Sequence, residues 1–157
     1  MKTLTDKIFD SCRFHFDDIV AIRRDIHMYP ETGFDVHRTA DIVVNQLKNL
    51  GLEVKTGVGQ TGVVANLEIS AATKRIGLRA DMDALPMQEL GDSAYKSRID
   101  GKAHMCGHDA HTAMLIGAAK IISQLKGQLK TNVRFIFQPS EEKFPGGASA
   151  MIKDGVL

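Results

Sequence analysis

Cysteine is scarce in this 157-residue sequence. The two present, Cys12 and Cys106, are too few for the disulfide framework of a small secreted domain. An excess of one charge is also lacking: 20 basic and 19 acidic residues give a formal charge of +1, with no block of like charge. That balance argues against nucleic acid and anionic membrane as partners. No stretch nears the roughly 18 consecutive apolar residues of a membrane span, and the opening MKTLTDKIFDSC lacks the apolar centre of a secretory signal. A cytoplasmic protein is the expectation. Internal repeats and low-complexity tracts are missing too. The remainder, 43% hydrophobic and 25% charged, suits one globular domain with a buried core.

The apolar periodicity predicts the elements in turn. Ile8, Phe9, Cys12, Phe16, Ile19, Val20 and Ile26 recur at helical spacing, so a helix is expected from about Thr5 to Met28, stopped by Pro30. Cys12 reads there as a small helix-face hydrophobe. A second helix runs from about Arg38 to Leu50, with Gly51 as its stop. LEVKTGV and GVVANLEI are β-rich runs linked by glycine, and RIGLRA is a strand leading into a loop with Asp81 and Asp83. Ser93 to Met105 has few apolar anchors and reads as an irregular connection or short hairpin. His108 to Leu125 is helical, NVRFIFQP is a buried strand ended by Pro139, and Ala148 to Lys153 is a last helical piece. Helices alternating with strands predict an α/β sandwich with its chemistry on loops at strand ends.

Three of those loops concentrate polar groups. In His104-Met105-Cys106-Gly107-His108-Asp109-Ala110-His111, an extended backbone would point Cys106 and His108 at one ion, with His111 about a helical turn further on. Thiolate or carboxylate with imidazole suits zinc, and other divalent transition metals fit as well. Glu141 and Glu142 are adjacent carboxylates, which repel unless a cation or proton lies between them. One would bind metal while the other accepts a proton. Asp81 and Asp83 have the same parity on an extended segment, so both are expected to face one pocket, supporting a ligating imidazole.

The segments RRDIHMYPETGF, GLRADMDALPMQE, AHMCGHDAHTAML and IFQPSEE followed by PGGA resemble, in order and spacing, those of the bacterial hippurate hydrolases, N-acyl-amino-acid amidohydrolases and plant auxin-conjugate hydrolases. The resemblance spans nearly the whole chain. It implies a three-layer α/β sandwich of zinc-exopeptidase type, with a mixed, largely parallel sheet that is incomplete here. It also implies metal ligation by Cys106, His108 and Glu142, a general base at Glu141, and support of the site by Asp83. The activity implied is hydrolysis of the amide of an N-acylated amino acid by a metal-activated water, with two divalent ions (Zn, Mn, Ni or Co) in the complete enzyme. Relatives are longer, carrying a lid or dimerisation domain and further histidine ligands. Residues 1–157 thus read as the N-terminal portion of a catalytic domain, weakly active or inactive alone and prone to self-association through exposed core surface. The alternative is a non-catalytic remnant or binding module with at most one weak metal. Lys143 and Phe144, where relatives have a tighter glycine-rich turn, are expected to reshape the site mouth.

Overall fold

The computed structural model describes residues 2–69 and 72–157. Helix α1 (Leu4–Met28) starts at a capping box: the Thr3 hydroxyl accepts from the Asp6 N–H, and the Asp6 carboxylate accepts from the Thr3 N–H. Helix α2 (His37–Asn49) buries Ala40, Val43, Val44 and Leu47, one stripe of its surface. Strands β1 (Glu53–Val58) and β2 (Gly62–Leu67) form an antiparallel hairpin. Strand β3 (Arg75–Asp81), helix α3 (His108–Gln124) and strand β4 (Asn132–Gln138) form a βαβ unit whose two strands pair in parallel. A short 3-10 turn at Lys126–Gln128 precedes β4, and helix α4 (Gly147–Lys153) follows it.

The sheet order is β1-β2-β4-β3. It is mixed, as expected, but among its four described strands only β3 and β4 pair in parallel, while β1–β2 and β2–β4 are antiparallel. The short glycine-containing link after β1 allows only a hairpin there, because a parallel neighbour needs a crossover of a dozen residues or more. Alternation along β4 divides the core. Val133, Phe135 and Phe137 join α2, α3 and the partly buried Ile19 and Ile22 of α1 on one face, while Ile136 packs with Val64, Met151 and Val156 on the other. The layers are therefore helices, sheet and the short α4.

The apolar stripe of α1 is only half used. Ile26 is fully buried, whereas Phe9, Phe16 and Cys12 are exposed, so Cys12 does not pack as expected. At about 1.5 Å per residue the 25-residue helix outruns the 17-residue α3 on which it lies, so Leu4 and Ile8 of its first turns reach the end of α3 and the turn after it, beside Leu125 and Leu129, while Phe9, Phe14 and Phe16 stay exposed. No helix among the described residues is long and apolar enough to cross a membrane.

Candidate metal centre

In the parallel ladder Asp81 stands opposite Gln138, so the loops that leave β3 and β4 emerge side by side. This is the carboxyl end of a parallel pair, the usual place for a site in an α/β sheet. Ser140 turns the second loop with φ 51°, a left-handed conformation that side chains rarely adopt. The turn brings the Glu141 and Glu142 amides onto the Asp83 carboxylate, at 2.9 and 3.2 Å. Asp83 itself is wholly buried.

At the start of α3, His108 is buried and its Nδ1 donates to the Asp83 carbonyl at 2.7 Å, which leaves Nε2 as the free nitrogen. Nε2 lies 3.8 Å from a Glu142 oxygen and 3.9 Å from a Glu141 oxygen. One donor atom each from Cys106, His108 and Glu142 fit within 4.8 Å of one another. The structure thus brings together all three residues expected to be ligands, with Glu141 beside them and more exposed than Glu142. A thiol, an imidazole fixed by a backbone carbonyl and a carboxylate are a donor set that fits a divalent transition metal.

The electrostatics agree with that fit. The hydrogen bond to Glu142, then burial and the surrounding carboxylates, push the Cys106 thiol up to about 11. Asp83 is the main cause that raises His108 to about 9, against the opposing effect of burial. Both shifts record an excess of negative charge that a proton or a cation would offset. Burial alone would raise Asp83, but the His108 ring and the two amide donors outweigh it and hold the carboxyl below its ordinary value.

Two expectations need correction. Asp81 and Asp83 do not face one pocket: β3 ends at Asp81, and the Arg79 guanidinium takes both Asp81 oxygens, at 2.8 to 3.0 Å. Asp83 lines a cavity with Glu142, whereas Asp81 lines a separate groove with His111. The Asp83 carboxylate is also 3.7 Å from the His108 ring, too far for a hydrogen bond, so its carbonyl orients the imidazole and its carboxylate pins the glutamate loop. Donor atoms of Asp81, His108 and His111 form a second group within 4.8 Å, but it competes for the single free nitrogen of His108 and for a carboxylate already held by Arg79.

The burial and partners of several polar residues around the centre escaped the sequence reading. Asp109 is wholly buried and its Oδ2 receives Arg23 Nε at 2.7 Å and His27 Nδ1 at 2.6 Å. His27 Nε2 faces Glu89 at 3.3 Å, and Glu89 also accepts from the Ser97 N–H. His104 is buried with neither ring nitrogen bonded among the described residues, and burial lowers it to about 4. Glu31 caps α2 from a distance, accepting from the Arg38 and Thr39 N–H groups at 3.0 and 2.8 Å. RRDIHMYPETGF carried a signal only as a family-like segment, since no local periodicity predicts pairing across 82 residues.

Next to the centre lies a cavity of about 770 Å³, whose lining includes Phe34, Pro86, Phe144 and Pro145 as well as Asp83 and Glu142. Lys143 and Phe144 form part of its wall, and the Phe144 side chain is almost fully exposed.

A thiol, an imidazole and a carboxylate thus converge at the carboxyl end of a parallel strand pair in an α/β domain, an arrangement suited to holding a divalent metal. The chain belongs to peptidase family M20/M25/M40, whose model matches residues 77–157, just over half of it. It is 44% identical over 152 residues to the putative amidohydrolase YhaA of Bacillus subtilis, covering 97% of this chain and 38% of that protein. It is 48% identical over 136 residues to the hippurate hydrolase of Campylobacter jejuni, covering 87% of this chain and 35% of that protein. The chain thus spans less than two fifths of these relatives' lengths. Among solved structures, the YXEP protein of Bacillus subtilis, described as a dinuclear metal binding peptidase of the M20 family, superposes with a TM-score of 0.87. The identity is 38%, over 92% of this chain and 40% of that one.

Proposed function

We propose that this chain forms the metal-binding part of an amidohydrolase acting on N-acylated amino acids. The observation that carries the reading is the convergence of Cys106, His108 and Glu142 within 4.8 Å, with Glu141 beside them. Cys106, His108 Nε2 and Glu142 would hold a divalent ion such as Zn, Mn, Ni or Co; when bound, it supplies positive charge that polarises the amide carbonyl and the attacking water. Glu141, the more exposed glutamate, takes the proton from water and delivers it to the leaving amine. Asp83 keeps Glu141 in place through its backbone N–H.

The neighbouring cavity supports a small-molecule substrate, since its volume falls within the roughly 300 to 1,000 Å³ of ligand pockets and Phe34, Pro86 and Phe144 offer apolar contact for an acyl group. The hippurate hydrolase named above acts on such an aromatic acyl amide, which favours that class. Three donors suit one ion better than two, so we expect this chain alone to bind a single metal firmly and to turn over weakly. Exposed Ile76 and Met114 favour self-association, which sedimentation would detect.

The test pairs metal titration of this chain with hippurate hydrolysis by a version extended with a relative's C-terminal half, in which turnover can be read. Glu141→Gln should keep metal and lose turnover, whereas Glu142→Gln should lose metal. Metal lost in the first variant and kept in the second would reverse the two roles. A wild-type chain that binds no divalent metal would end the reading.

A further inference from the structure

The last turn of α1 and the link that follows it touch the first turn of α3 and the loops after β3 and β4, each time one residue away from a site side chain. His27 Nδ1 meets Asp109, the residue after His108, at 2.6 Å. The Glu31 carbonyl accepts from the N–H of Ala84, the residue after Asp83, at 2.7 Å. The Gly33 carbonyl accepts from the N–H of Ser140, the residue before Glu141, at 2.9 Å. These loops come from parts of the sequence more than 20 residues apart, and their shared anchor is this strap.

We propose that His27–Gly33 is a strap that positions the metal donors, and that His27 is a positioning residue for His108, acting through Asp109. Asp109 lies in the first turn of α3, so fixing its carboxylate fixes the rotation of that turn and hence the direction of the neighbouring His108 ring. The anchor is stiff. Asp109 is fully buried and shares one oxygen between His27 and Arg23, and His27 is held on its far side by Glu89. Each imidazole nitrogen faces a carboxylate oxygen, Nδ1 at 2.6 Å and Nε2 at 3.3 Å. The inference rests on the metal centre proposed above, and its test separates the two.

Cobalt(II) is the probe, because coordination by the Cys106 thiolate gives a charge-transfer band and the ligand-field bands report geometry. An Asn amide nitrogen can replace Nδ1 toward Asp109, whereas a Gln amide nitrogen replaces Nε2 toward Glu89. His27→Gln should weaken cobalt binding roughly 10- to 100-fold and alter the ligand-field bands, as loss of a residue that orients a ligand does. His27→Asn should recover most of the wild-type affinity and spectrum. Equal cobalt affinity in wild type and His27→Gln, or equal loss in the Asn and Gln variants, overturns the positioning route through Asp109. No band in the wild-type protein removes the metal centre itself and this inference with it. A measurement without substitution guards against misfolded variants: the His27 ring resonances should shift when zinc is added to wild type, and unchanged resonances overturn the proposal.

Discussion

The carboxyl end of β3 and β4 and the first turns of α1 reverse the usual rule of polar outside and apolar inside. At the strand ends, charged residues lie in the interior: Asp83 and Asp109 are wholly buried, with His108 and Glu89 nearly so. On α1, Phe9, Phe14 and Phe16 are more than half exposed. Burial of charge is costly unless every charge has a partner, so the first region holds together only through short, specific bonds. The second has little to lose. Sensitivity to substitution should therefore follow the bonded geometry of the strand ends rather than hydrophobicity.

The largest break is expected from Gly147→Ala, which strikes the first region by sterics alone. An added Cβ would lie 1.8 Å from the Pro139 carbonyl oxygen, a backbone atom that no rotamer can move. The loop holding Glu141 and Glu142 would have to shift, at a cost of about 3 kcal/mol or more. Urea unfolding should show the loss of stability, and metal affinity should fall with it. A neutral variant would mean that this loop is not fixed by close packing.

Next in size is Cys106→Ala. It removes a donor without disturbing packing, because Cys106 is exposed. Zinc affinity should fall by a factor of about 10 or more while the unfolding midpoint measured in chelator stays close to wild type. Unchanged affinity would remove Cys106 from the site.

pH should divide the regions next. His104 is lowered to about 4 by burial, against an ordinary value near 6.5, so the unfolded chain binds more protons between those limits. Stability should fall as pH drops from about 6.5 toward 4. His108 runs the other way: raised to about 9, it contributes stability below about 6.5 that is lost as pH climbs through 9. In chelator both limbs should appear in thermal unfolding. Added metal should abolish the alkaline one, because it binds the deprotonated imidazole and takes over the proton's role. An alkaline limb that persists in saturating zinc would argue against His108 as a ligand.

The smallest effect sharpens the contrast from the other side. Phe14→Ser on α1, despite removing an aromatic ring, should change stability by no more than about 0.5 kcal/mol, since Phe14 is 79% exposed. A larger loss by urea unfolding would show that α1 contributes through a surface partner, such as a second copy of the chain.

Every helix and strand predicted from the sequence is present within a residue or two, because each carries its signal locally, in apolar spacing and in stops such as Gly51 and Pro139. The cluster Cys106, His108 and Glu142 was also within reach, since family-like segments marked it residue by residue. What the sequence could not determine depends on distance along the chain. Whether a strand pairs in parallel or antiparallel is set by which neighbour the fold supplies, and among the described strands only β3 and β4 have the crossover that parallel pairing needs. The parity of Asp81 and Asp83 held only while the backbone stayed extended, and Arg79 took one of the pair away. The bonds of His27 to Asp109 and of Glu31 to α2 leave no local trace, because a buried ion pair is a relation between two segments rather than a property of either. The family resemblance marked the candidate donors, and the tertiary structure decided what holds those side chains, since desolvated charges find their partners only when the loops are brought together.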